Sequence, residues 1–72
     1  MKKVYIVYGN HDGNIGVYTT LKAAYQRAVS YIESGDDEVM TTYEEVKKSN
    51  GWVTVYSNGS TDASIQTFYL NK

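Results

Sequence analysis

No cysteine occurs in this chain of 72 residues, and that absence constrains its fold more than any residue present. A domain of this length buries only about 60% of the surface its unfolded chain exposes. Small domains therefore lean on disulfides, a metal or a partner chain. Without cysteine there is no disulfide and no thiolate metal site, and a single histidine, His11, removes most imidazole sites as well. Two routes to stability remain: regular packing around one small core, or self-association into a homodimer. The length allows a single domain over residues 1–72.

The residues available for that core favour sheet. Apolar residues make up 42% of the chain, but eight positions are tyrosine, and leucine occurs only at Leu21 and Leu70. Valine and isoleucine together number twelve. This bias toward β-branched and aromatic side chains suits a pleated, half-buried surface. The longest apolar stretch is far too short to span a membrane. Met1-Lys2-Lys3 is basic, but the apolar run behind it, Val4 to Tyr8, is too short for a signal peptide and lacks a small-residue cleavage site. The expected location is the cytoplasm.

Hydrophobic periodicity orders the elements. Lys3 to Tyr8 reads as a strand with Val4, Ile6 and Tyr8 on one face and Tyr5 and Val7 on the other. Both faces are apolar, which predicts a central strand or one whose second face is covered. Gly9 to Asn14 is a turn by composition, and Ile15 to Thr19 a second strand pairing with the first. Thr19 or Thr20 can cap a helix in which Leu21, Ala24, Tyr25, Ala28, Val29 and Ile32 recur at three- and four-residue spacing. Gly35 suits a left-handed closing position. After an acidic link, Thr41-Thr42-Tyr43-Glu44-Glu45 offers a capping box in two registers, Thr41 with Glu44 or Thr42 with Glu45, for a short helix to Ser49. Trp52 to Ser57 and Ala63 to Leu70 read as strands, with Asn58-Gly59 signalling a tight hairpin turn. The expected class is α+β: a four-stranded antiparallel sheet with two helices on one face, in the order ββααββ.

Charge is balanced in sum and uneven in distribution. The net charge is −1, which gives no basic footprint for DNA or RNA. Six of the eight acids, Glu33, Asp36, Asp37, Glu38, Glu44 and Glu45, fall within residues 33–45, where no lysine or arginine occurs. Such a window is either a solvated connection between helices or a docking surface for a basic partner. Carboxylates so spaced imitate a nucleic-acid backbone and would attract a protein that binds one.

Catalytic groups are scarce. Gly9-Asn10-His11-Asp12 resembles one signature of the calcineurin-like metallophosphoesterases, in which the asparagine binds metal and the histidine steadies the phosphoryl group. The family's other motifs, Asp-x-His and Gly-Asp-x-x-Asp, do not precede it. A two-metal centre needs more ligands than this chain offers, so the string reads as a turn, and no metal or other cofactor is expected. Gly9, Gly13 and Gly16 lead into a strand with no lysine, which excludes a P-loop. No serine has a base and orienting group placed for nucleophilic attack. The carboxylate pairs Asp36-Asp37 and Glu44-Glu45 leave a carboxylate-only enzyme as a third-ranked alternative; the chain is expected not to be an enzyme. Tyrosine-rich faces could stack bases, but no lysine or arginine lies between Gly51 and Asn71 to hold phosphates. A protein–protein surface fits the aromatics better, with Tyr43, Tyr56 and Tyr69 as candidates, the last two on the sheet face opposite some core residues.

The chain as a whole resembles small proteins of tailed bacteriophages. The resemblance lies in Lys3-Val4-Tyr5-Ile6-Val7-Tyr8, the Gly/Asn/Asp turn, Ile15-Gly16-Val17-Tyr18-Thr19-Thr20 entering the helix at Leu21 to Ala28, and the closing strand Ile65 to Leu70. It implies a compact sheet-and-helix fold and a protein that binds and inhibits a bacterial host protein, with no direct nucleic-acid contact and no membrane. It transfers no site residues. The expected function is therefore host takeover through the acidic window, on a basic, nucleic-acid-binding protein in its sharpest form. The alternative is a binder of a nucleotide signal, using the Gly9–Gly16 turn and a tyrosine across a dimer.

Overall fold

A computed structural model describes residues 2–49 and 51–70. Strand β1 (Lys2–Gly9) and β2 (Gly13–Tyr18) are followed by helices α1 (Leu21–Ser34) and α2 (Tyr43–Lys47), then β3 (Trp52–Val55) and β4 (Ala63–Leu70). All pairings are antiparallel, in the sheet order β2-β1-β4-β3. The class is α+β. The long first and last strands lie side by side in the middle, paired from Lys2↔Leu70 to Gly9↔Ala63.

Register assigns the faces. Val7 opposes Ile65, which opposes Val53, and Gly9 opposes Ala63, which opposes Val55. Val7, Val55, Ala63 and Ile65 are fully buried, in one cluster with Ala24, Ala28, Tyr31 and Ile32 of α1 and Val46 of α2. Both helices thus contribute to the core on this face. Ala24, Ala28 and Ile32 recur at four-residue spacing, and the two alanines let α1 approach the strands closely. Arg27 ties the helix to β2 by donating from Nε to the Ile15 carbonyl at 3.3 Å.

Helix ends follow the caps. Thr20 Oγ1 accepts from Ala23 N at the start of α1. At its end, Gly35 has φ −92° and Asp36 takes the left-handed conformation at φ 64°. Gly35 caps the helix end as expected, but the left-handed conformation expected of it is corrected: it passes to Asp36, since aspartate tolerates that region, while the Cα of Gly35 faces Thr61, whose Oγ1 would lie 2.8 Å from an added Cβ. The capping box forms in the Thr42–Glu45 register, and α2 stops at Lys47 rather than Ser49. Hydrogen bonds from the Thr42 backbone and then its side chain hold the Glu45 carboxyl below its ordinary value, against some desolvation and with help from Lys48. A depressed carboxyl contributes its stabilisation in full above the ordinary glutamate range and loses it as pH falls. Thr42→Ala is expected to cost about 1 kcal/mol. The protection factors of the Glu45 and Val46 amides, taken against the intrinsic exchange rate at each pH, should fall in this variant, and in the unmodified chain on acidification.

Asn58-Gly59 does not form the expected tight turn. β3 ends at Val55 and β4 begins at Ala63, so the two residues sit inside a longer loop rather than in a tight turn. Asn58 bonds outside the hairpin: Glu38 N donates to its Oδ1 at 2.9 Å, and Asn58 N donates to the Glu38 carbonyl at 2.9 Å.

Candidate functional site

The acidic window begins where α1 ends and crosses to α2 along the loop after β3. Val39 and Ser57 form an antiparallel bridge. On either side of it, Asn58 N donates to Glu38 O, and Met40 N to Tyr56 O at 2.8 Å. Thr41, which is buried, accepts from Tyr56 N on Oγ1 at 2.9 Å, and its carbonyl accepts from the Tyr25 hydroxyl at 2.7 Å. Burial, and after it the Glu45 charge, pushes the Tyr25 hydroxyl above its ordinary value. The connection is therefore a fixed edge rather than a loose link.

The six carboxylates divide into two groups. Asp37 turns inward: its Oδ2 accepts from Thr61 N at 3.1 Å, and its carboxylate lies against Gly59, where any Cβ would collide with it. Glu44 pairs with Lys47 at 3.1 Å, and Glu45 closes the capping box. These three have local structural work, as does Tyr43, whose ring lies 5.4 Å from that of Tyr25 with the Lys47 ammonium over it. Glu33, Asp36 and Glu38 are exposed, and the single salt bridge among the described residues involves none of them. The Glu38 carboxylate accepts from the side-chain amide of Asn58 at 3.3 Å. Met40 and Tyr56, hydrogen-bonded to each other through their backbones, are exposed beside Glu38.

Tyr69 belongs elsewhere, which corrects its expected position. It shares a face with Ile65 and Thr67, so it stands on the helix-bearing side, past the helices, with the Lys3 ammonium 5.7 Å above its ring. There it joins Lys3, Tyr5, Leu21, Lys47 and Thr67 around a cleft of about 110 Å³. Pockets that enclose drug-sized ligands run to roughly 300–1,000 Å³, so this cleft is too small for a nucleotide.

The Gly9–Asn14 turn is internally occupied. Asn10 donates from its amide to Ser60 O and from its backbone to Asp62 O, and His11 N donates to the Tyr31 hydroxyl at 3.1 Å. Among the described residues, no group of three or more His, Asp or Glu side chains could hold a metal ion. No described helix is long and apolar enough to cross a membrane. Sequence reasoning missed Met40 as a partner of Tyr56; hydropathy alone could not have placed two residues sixteen apart on one edge. Comparison with protein-family models, with curated proteins and with solved structures returns no match.

Proposed function

We propose that this chain is a binding protein, without catalytic activity, that docks a basic protein through the edge formed by residues 33–40 and 56–58. One observation carries the reading. Exposed Glu33 at the end of α1 and exposed Asp36 just after it lead into exposed Glu38, whose backbone is held by cross-links to the loop after β3, next to exposed Met40 and Tyr56. Charge so arranged steers a basic partner and fixes its register. Two large apolar side chains supply the desolvated contact that charge alone does not. Because the segment is already ordered, little conformational entropy is lost on binding. In the phage setting that the sequence resembles, the partner is a bacterial host protein, a nucleic-acid-binding one by the character of the charge, and binding inhibits it.

The test is capture from bacterial lysate by the whole chain, against a triple variant Glu33→Gln, Asp36→Asn, Glu38→Gln. Each amide keeps the shape and the acceptor oxygen, and asparagine tolerates the left-handed backbone at position 36. The circular dichroism spectrum should therefore be unchanged while capture of the basic protein falls about tenfold or more. Undiminished capture would end the acidic-edge reading.

A further inference from the structure

The sheet face turned away from the helices is apolar and uncovered. By register it carries Val4, Ile6 and Tyr8 of β1, Phe68 and Leu70 of β4, Val17 of β2 and Trp52 of β3. Val17 and Trp52 are 57% and 54% exposed. Tyr8 and Trp52 stack at 5.8 Å across the intervening strand β4. Single exposed apolar residues are ordinary, but a contiguous patch of more than a few hundred Å² marks an interaction surface.

We infer that this face is covered by a second copy of the same chain. The two sheets stack about 10 Å apart around a twofold axis, giving layers in the order helix, sheet, sheet, helix. Area is the first reason. With strands rising about 3.4 Å per residue and lying about 4.8 Å apart, the face projects to roughly 400 Å². The side chains standing on it bring the accessible area toward the roughly 800 Å² per partner of a stable interface. Charge is the second. Among the described residues Lys2, at a corner, is the only charged side chain on this face, so the face complements neither a basic nor an acidic partner. Gln66 stands mid-face on β4 between Ile6 and Trp52, where a twofold partner offers the same neutral amide, and Ser64 and Thr54 stand at one end, so this uncharged face complements itself.

The third reason is the core. Three of its nine buried members are alanine, and the Cα envelope is only 15 Å thick, which is one sheet and one helix layer. A domain this thin has no second apolar layer of its own. A copy of the same chain is present whenever the chain is made, which meets a standing need for cover. The inference does not rest on the acidic edge.

Sedimentation equilibrium and thermal unfolding of the whole chain, from about 1 to 200 µM, test it. The expected result is a mass twice 8.1 kDa at the upper concentrations, with Tm rising as concentration rises. Phe68→Gln should raise the dimer dissociation constant about tenfold or more. Tyr69→Gln, at the neighbouring exposed residue on the opposite face, should leave it unchanged. If Phe68→Gln does not fold, the concentration dependence of the unmodified chain still decides. A mass of 8.1 kDa with a constant Tm over the whole range would overturn the inference. So would a monomer whose Trp52 fluorescence is quenched by a single-stranded dT oligonucleotide, which would make the face a base-stacking surface instead.

Discussion

Ile65→Ala is expected to unfold a large share of the molecules under conditions where the unmodified chain is folded. Ile65 is fully buried at the centre of the sheet, opposite Val7 on one side and Val53 on the other. Truncating such a side chain costs about 2–5 kcal/mol, the lost transfer energy plus the cavity left behind. A chain of this length has a total stability of roughly 4–11 kcal/mol at the usual ~0.05–0.15 kcal/mol per residue. The loss is therefore comparable with everything that holds the domain together. The urea midpoint checks it, and an unchanged denaturant slope would show that stability alone has moved.

Gly9→Ala is the second large effect, and its sign is informative. Gly9 lies in β1 with a negative φ, and alanine in a strand interior is normally tolerated better than glycine. Here the Tyr31 ring lies across the position, with its Cε1 2.7 Å from where the Cβ would stand. Tyr31 is itself buried and accepts from His11 N, so it cannot swing aside without losing that bond. Overpacking of this kind costs about 1–3 kcal/mol. In a Tyr31→Ala background the obstruction is gone, so most of the Gly9→Ala penalty should vanish. A double-mutant cycle measures this coupling. Equal penalties in both backgrounds would show that the ring is not the obstacle.

Much of the fold was legible because its signals are local. The spacing of Leu21, Ala24, Ala28 and Ile32 marks α1, Thr42 and Glu45 mark the start of α2, and the alternation from Ala63 to Leu70 marks β4. Misreadings fell where a residue answers to a distant partner. Asn58-Gly59 has the composition of a tight turn, but Asn58 bonds Glu38 and Gly59 makes room for Asp37. Gly35 makes room for Thr61, and the left-handed position passes to Asp36.

The candidate site was half legible. The clustering of acids between residues 33 and 45 is plain in the sequence, but their division is not. Asp37 is drawn inward by Thr61, a residue 24 positions away, while its neighbours Asp36 and Glu38 are exposed. The two apolar faces of β1 were equally plain. They imply a central strand, which β1 is. The local pattern does not say what stands against the second face, which carries exposed Val17, Trp52, Phe68 and Leu70.

The most direct test of docking through the acidic edge is the affinity for the captured basic protein as a function of salt. For the unmodified chain the dissociation constant should rise about tenfold between about 50 and 300 mM ionic strength, since exposed charges are screened within a Debye length of ~10 Å at 0.1 M. In the triple amide variant the binding should be weak at low salt and nearly flat with salt. Equal affinity and equal salt dependence in the two proteins would contradict docking through Glu33, Asp36 and Glu38.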